Sequence, residues 1–332
     1  MAGSGKGAVF MALIGNGFLT VIKFVAFLLT GSGALLSEAI HSGADCANQA
    51  LLYVGVKRSQ RPADDTYQYG YGGDRFFYAL MSAVGIFVLG AGVTIYHGVE
   101  HLIYPPELEI SPIAFIVLAI ALVVDGVVLV AAVREVNRRR GEQSFREFVR
   151  TSTDPTLLAV LFEDGIATLG VLIAAAGIGL AWLTGNTIFD ALSSIAIGGL
   201  LGLMAIWLGW RNRVLLLGPS IPEGMQKQIV DFIEEQPSVD AIRLVRTRIV
   251  GAEKFRVAVE LDYNGRYLGE LDLPWFEEQA AAGLLDTPEG RKQVIGELGH
   301  RLSEALGDEV DRLEAALSER FPRIKHIDLE VD

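Results

Sequence analysis

Six apolar stretches, each close to or above 20 residues in length, constrain the fold of this 332-residue chain more than any other feature. They lie at about 8–29, 33–56, 76–99, 112–133, 156–182 and 188–210. Each is long enough to cross a hydrocarbon core of roughly 30 Å as an α-helix. The mean hydropathy of +0.38 also exceeds that of an ordinary soluble domain. We therefore predict a multi-pass α-helical membrane protein with six transmembrane helices.

The distribution of lysine and arginine among the loops predicts the orientation of these helices. The loops near 30–33, 100–111 and 183–187 contain neither residue, whereas the loop near 57–75 holds one lysine and three arginines and the loop near 134–155 holds six arginines. Loops rich in lysine and arginine stay on the cytoplasmic side of a membrane. We therefore predict that both termini are cytoplasmic, and we expect the protein in a bacterial cytoplasmic membrane.

The tail, residues 213–332, has a different composition from the rest of the chain. It holds 24 Asp and Glu against 15 Lys and Arg, which is −9 of the chain's net charge of −12. This acidic balance argues against nucleic acid as a partner, because binding to phosphates needs positive charge. We therefore predict a membrane domain at 1–212 and a separate cytoplasmic domain at 213–332.

Local patterns in the tail predict a small α+β domain. The run from Ser220 to Glu223 is a capping box that opens a helix ending near 236. Alternating apolar and polar residues predict strands near 239–249, 254–263 and 324–331, with a helical region at 289–320 and an irregular stretch at 264–288. The order helix, strand, strand, helix, strand predicts a ferredoxin-like fold.

A histidine and three aspartates lie deep inside the apolar stretches. His41 and Asp45 are four residues apart in the second stretch, so a helix places both on one face. Asp125 and Asp164 lie at a similar depth in the fourth and fifth stretches. A carboxylate at bilayer depth costs about 2.5–3.5 kcal/mol, and neighbouring carboxylates also repel each other. We therefore predict a divalent-cation site formed by His41, Asp45, Asp164 and Asp125.

Several alternatives remain open for these residues. Asp125 could instead line a water-filled vestibule. Glu163 is adjacent to Asp164 and points about 100° away on a helix, so we expect it outside the site. Glu38 either stages ions outside the site or pairs with Lys23. The cluster as a whole could be a structural polar group with Lys23 as its counter-charge.

Four segments of the sequence resemble one transporter family. They are Ser37 to Ser42, Cys46 to Leu52, Asp154-Pro155-Thr156 with Glu163-Asp164, and Leu306 to Glu314. Together with six helices and an α+β tail, they resemble the cation diffusion facilitators, in the branch of the mitochondrial zinc exporters. The resemblance implies a homodimer that exchanges a divalent metal for protons by alternating access. It also implies a central site on the second and fifth helices, beside the first and fourth.

The sequence departs from that family's pattern at three places. One is the loop after the second helix, Tyr67 to Gly72, which lacks the histidine often found in its counterpart. Position 160 is Val, where the family's fifth helix has a histidine four residues before its aspartate. This change removes one of four expected ligands, which is why we consider Asp125 as a replacement. The tail lacks the histidine cluster used elsewhere in the family, so we expect no cytoplasmic metal pair.

The predicted function is proton-coupled antiport that exports a divalent transition metal. Zn²⁺ is the first choice, because a four-coordinate site of one imidazole and carboxylates suits it. Carboxylate-rich ligation also suits Mn²⁺ or Fe²⁺. The alternative from another class is a membrane-anchored dimeric scaffold with a vestigial metal site. We do not expect an enzyme, since no nucleophile–base set and no phosphate loop is recognisable.

Overall fold

The structure is a computed structural model that describes residues 4–30, 33–105 and 112–332. The side chains at 4–9, 11–12, 26–27, 29–30, 33–41 and 112–115 lie outside this description. The chain divides into two compact units, Met1–Leu217 and Gly218–Asp332. Each unit is described by itself below.

Long helices form the first unit. They are α1 (Ser4–Thr30), α2 (Gly33–Arg58), α3 (Asp74–Gly85), a π-helical segment (Ile86–Gly92), α4 (Val93–Ile103), α5 (Pro112–Arg140), α6 (Phe145–Thr151), α7 (Pro155–Thr184) and α8 (Ile188–Leu217). In the described part of the chain, 4 stretches are long and apolar enough to cross a membrane: Asp74–Ile103, Ile116–Arg140, Pro155–Thr184 and Ile188–Leu217. These correspond to the last four predicted spans, whereas the first two remain predictions.

The helices pack so that α2, α5 and α7 line one interior. α1 contacts α2, α5 and α7, and α7 contacts both α5 and α8. The buried core includes Leu52 of α2, Ala132 of α5 and Leu157 of α7. Large apolar side chains such as Val123 and Leu203 are exposed on the outside. A buried core with an apolar outer face is what a bundle surrounded by lipid requires.

Asp154 connects α3, α5 and α7 at the end of this unit where Arg75 and Arg139 lie, which we call the basic end. It caps α7, since its Oδ1 accepts a hydrogen bond from the backbone N–H of Leu157. The same carboxylate accepts from Arg75 of α3 at 2.6 Å and from Arg139 of α5 at 2.8 Å. The Asp154 side chain is only 4% exposed, so the two guanidinium groups replace water around its charge.

We expect Asp154→Asn to destabilise the membrane unit. Breaking a buried charge pair by removing one partner costs about 3–5 kcal/mol, because the remaining charge is left uncompensated. The apparent Tm of the detergent-solubilised protein should fall by roughly 6–20 °C. Asp74→Asn is the matched control, since its partner Arg58 is 41% exposed and the pair should contribute little. Equal shifts for the two variants would contradict this account of the basic end.

The second unit contains helices and one three-stranded sheet. Its elements are α9 (Glu223–Glu234), β1 (Val239–Gly251), β2 (Lys254–Tyr263), α10 (Gly265–Leu271), α11 (Leu273–Ala281), a 3₁₀ turn (Leu284–Asp286), α12 (Pro288–Arg320) and β3 (Ile324–Val331). β2 is central, antiparallel to β1 and parallel to β3. Phe255, Val257, Val259 and Leu261 are buried, as their alternation predicts. The three predicted strands are confirmed.

Two local predictions for the tail were wrong. The first helix begins at Glu223, and no side chain caps it, so Ser220 is not its N-cap. The backbone there follows β1 instead, because the Ile249 N–H donates to Pro219 and the Ile221 N–H donates to Thr247 Oγ1.

The stretch 264–288, expected to be irregular, forms α10, α11 and the 3₁₀ turn. Asn264 caps α10 by accepting hydrogen bonds from the N–H groups of Arg266 and Tyr267. Proline lies in the first turn of α11, where its missing N–H has no cost. Both are local helix-start signals, and the two helices, of 7 and 9 residues, are each too short to show a clear apolar period.

An ion pair on α12 should make the stability of the tail depend on pH. Arg312 donates two hydrogen bonds to the Glu309 carboxylate, at 2.8 and 2.7 Å, and these hold the pKa of Glu309 below its usual value. A depressed carboxylate pKa stabilises the fold above the unfolded pKa of about 4.3, and this stability is lost as pH falls through the folded pKa.

We therefore expect Glu309→Gln to lower the free energy of unfolding by about 0.5–1 kcal/mol at pH 7, since Arg312 is half exposed and the pair is partly screened. The difference should shrink below about pH 4. Urea unfolding of a 218–332 fragment at both pH values measures it, with the exposed Glu304→Gln as control. A difference that does not change with pH would contradict the assignment.

Candidate metal transport site

The predicted ligands lie on three helices of the membrane unit. His41 and Asp45 belong to α2, Asp125 to α5 and Asp164 to α7. The side chain of His41 lies outside the part of the chain that the structure describes. Asp125 and Asp164 are 8% and 4% exposed. Two of the predicted carboxylates are therefore buried in the bundle interior.

Asp164 connects the other two carboxylates of the site. Its carboxylate interacts electrostatically with Asp125 of α5 and with Asp45 of α2. Among the residues that the structure describes, however, no group of three His, Cys, Asp or Glu side chains has the spacing that holds a metal ion. Asp45, Asp125 and Asp164 thus share one interior without forming a closed coordination shell, and their ligand roles stay predictions.

The start of α7 determines where Asp164 lies. Asp154 and Pro155 begin the helix, and α7 then runs through the core to Thr184. Val160, at the position of the absent histidine, is 0% exposed and belongs to the apolar core. One turn later, Asp164 carries an oxygen, Oδ2, that is buried and has no hydrogen-bond partner in the described part of the chain. A buried hydrogen-bond acceptor without a donor costs free energy, and a bound cation lowers that cost.

Glu163 is part of the same interior, contrary to the expectation that it points away from the site. It is 4% exposed, and Gln49 of α2 donates a hydrogen bond from Nε2 to its Oε2 at 2.7 Å. The Glu163 carboxylate also interacts electrostatically with Asp45 and Asp164. The 100° turn between adjacent residues separates their directions on α7. It does not prevent Glu163 from reaching α2.

Gln49 is the residue that sequence reasoning missed. It lies four residues after Asp45, so both are on the same face of α2. Its side chain is 0% exposed. The spacing of four residues from Asp45 indicated that Gln49 shares its helix face, but a neutral amide does not stand out among charged metal ligands.

Lys23 of α1 brings a positive charge into the bundle. It is 5% exposed, and its Nζ donates a hydrogen bond to the Ser42 hydroxyl of α2 at 2.8 Å. Ser42 lies one turn before Asp45. The suggested pairing of Lys23 with Glu38 lies outside the described residues, because the side chain of Glu38 is among those not described.

Comparison with known proteins identifies the family. Residues 9–217 match the family model of the cation efflux transmembrane domain. The chain is 38% identical over 336 residues to the mitochondrial proton-coupled zinc antiporter SLC30A9 of Homo sapiens, covering 99% of this chain and 59% of that protein.

Two further relatives come from a plant and a bacterium. Metal tolerance protein C4 of Arabidopsis thaliana is 34% identical over 97% of this chain and 72% of its own length. The cation-efflux pump FieF of Escherichia coli is 27% identical over 71% of this chain and 74% of its own length.

The chain spans about three fifths of the length of the human relative. The names of all three relatives are those of metal transport or tolerance proteins, and none is that of an enzyme. The family match covers most of the first unit, including Asp45, Asp125, Glu163 and Asp164. This chain belongs to the cation efflux family of membrane proteins.

Proposed function

We propose that this protein is a proton-coupled antiporter that moves Zn²⁺ across a membrane. The observation that carries the proposal is a group of carboxylates from α2, α5 and α7, in which Asp125 and Asp164 are buried and Asp45 is half-buried. Asp164 interacts electrostatically with both of the others. Carboxylates of like charge in an apolar bundle repel one another, and a divalent cation removes both the repulsion and the cost of burial. The human relative is named as a proton-coupled zinc antiporter, which supports zinc as the cargo and protons as the counter-ion.

His41 supplies a nitrogen ligand in this proposal, and Asp45 and Asp164 supply oxygens. Asp125 is the proposed fourth ligand in place of the histidine absent at Val160. One imidazole and carboxylates suit four-coordinate zinc, whereas Mn²⁺ and Fe²⁺ accept the same ligands. Competition among the three metals in a transport assay decides between them.

The proposed arrangement in the membrane follows from the arginine-rich loops. Six spans place both termini and the ferredoxin-like tail on the side of these loops. We propose a homodimer, as the family resemblance implies. The bacterial membrane expected from the sequence is not supported by the human relative, which is named as mitochondrial.

The site assignment predicts that His41→Ala, Asp45→Ala and Asp164→Ala each reduce saturable zinc flux in proteoliposomes to background. Asp125→Asn should raise the KM for zinc by about tenfold or more if Asp125 is a ligand, and should alter mainly the maximal rate if it lines a vestibule. Asp190→Asn, a carboxylate at the start of α8 and outside the cluster, is the control. Near-normal flux in any two of the alanine variants would refute the site.

Proton coupling follows from the protonation that the ligands need. Bound zinc requires a neutral His41 imidazole and ionised carboxylates, so zinc entering the site releases protons and zinc leaving it allows them to return. Zinc uptake into vesicles should therefore rise when the lumen is made more acidic than the outside, with the membrane potential clamped by potassium and valinomycin. A pH-sensitive dye in the lumen should report alkalinisation during uptake. Uptake that ignores the imposed pH gradient would contradict antiport.

A further inference from the structure

Three buried oxygen atoms next to the predicted site have no hydrogen-bond partner in the described part of the chain. They are Oε1 of Gln49, Oε1 of Glu163 and Oδ2 of Asp164. The three residues are 0%, 4% and 4% exposed, so water at the surface does not reach them. All three atoms are hydrogen-bond acceptors, and a surplus of acceptors in a dry interior is stabilised by a positive charge.

The contact between Gln49 and Glu163 brings two of these oxygens together. Gln49 Nε2 donates to Glu163 Oε2 at 2.7 Å. The unpartnered Gln49 oxygen is bonded to the same carbon as Nε2, so it belongs to the amide group that contacts the Glu163 carboxylate. Both side chains are thereby held in place while one oxygen of each remains without a donor.

The pair adjoins the predicted metal site on one particular side. Glu163 interacts electrostatically with Asp45 and Asp164, so it lies within reach of the charges of that site. Gln49 is one helical turn beyond Asp45 along α2, in the direction of Arg58 at the helix end. On α7, Glu163 lies between Asp164 and the Asp154 cap. The pair therefore lies on the side of Asp45 that faces the basic end.

We propose that Gln49 and Glu163 form a binding step for the transported divalent cation, between the basic end and the site at His41, Asp45 and Asp164. This step rests on the proposed cation transport. The carboxylate and amide oxygens provide two ligands, and water molecules that the ion carries in with it complete its shell. Two protein ligands bind weakly, and a step of this kind must bind well enough to admit the ion and weakly enough to pass it on.

A purely structural role for the pair makes a different prediction. Glu163→Gln keeps the shape of the side chain and retains an oxygen that accepts from Gln49, so the contact between α2 and α7 persists. It removes the negative charge that attracts the cation. A structural pair tolerates this change in the transport constants, whereas a binding step loses affinity.

The test is zinc uptake by the full chain in proteoliposomes, with KM and maximal rate measured separately. Glu163→Gln should raise the KM for zinc by about tenfold, while the maximal rate per folded protein changes by less than about twofold. Gln49→Leu removes the amide oxygen and retains the carboxylate, so it should raise the KM by a smaller factor. If size-exclusion chromatography shows that Glu163→Gln does not fold, the KM of Gln49→Leu alone tests the proposal.

Ser82→Ala is the matched control. The Ser82 hydroxyl of α3 is also buried without a hydrogen-bond partner in the described residues, but it carries no charge that attracts a cation. The KM of Ser82→Ala should therefore equal that of the parent protein. An unchanged KM in the folded Gln49 and Glu163 variants would overturn the binding step while leaving the proposed antiport intact. Absence of zinc flux in the parent protein would instead overturn the antiport itself, and the step with it.

Discussion

The cost of holding carboxylates inside an apolar helical bundle governs this structure. A buried negative charge needs a positive charge to replace water, and the membrane unit meets this need in two different ways. Asp154 is neutralised by the protein itself, because Arg75 and Arg139 both contact its carboxylate. Glu163 and Asp164 form no ion pair with any residue that the structure describes, and each has an oxygen without a donor. The first arrangement holds helices together, and the second suits a cation that binds reversibly.

The two arrangements occur on the same helix, so the proposed transport site and a stabilising ion pair share one element. Asp154 caps α7 at the basic end, and Asp164 lies ten residues further along it. The arginine contacts fix the start of α7 against α3 and α5, so the carboxylates of Glu163 and Asp164 have a defined position relative to α2. Alternating access, as proposed, requires helices to move relative to one another. A helix end that is held by ion pairs can serve as the fixed point of such a movement.

The sequence predicted the parts of this protein that depend on strong periodic signals. Four apolar stretches became helices of membrane-spanning length, and the alternation in β2 placed Phe255, Val257, Val259 and Leu261 in the tail core. The burial of Asp125 and Asp164 also followed from their depth in apolar helices. Such features depend on local patterns that later packing reinforces.

The failures came from contacts between distant parts of the chain. Glu163 was expected to point away from the site, because a helical wheel describes directions on one helix and not the reach of a neighbouring helix. Gln49, 114 residues away in sequence, supplies that contact. Ser220 has the sequence of a helix cap, but hydrogen bonds of its neighbours to β1 extend the backbone there. No single-helix pattern contains this information.

The central claim is that nitrogen and oxygen ligands inside the bundle bind the transported metal, and X-ray absorption spectroscopy of the zinc-loaded protein tests it most directly. The account predicts a shell of nitrogen and oxygen neighbours at roughly 2.0–2.1 Å, with the outer-shell scattering of one imidazole that disappears in His41→Ala. A sulfur neighbour at roughly 2.3 Å, supplied by Cys46, the one cysteine of the sequence, would contradict the account. An imidazole signal that persists in His41→Ala would contradict it as well.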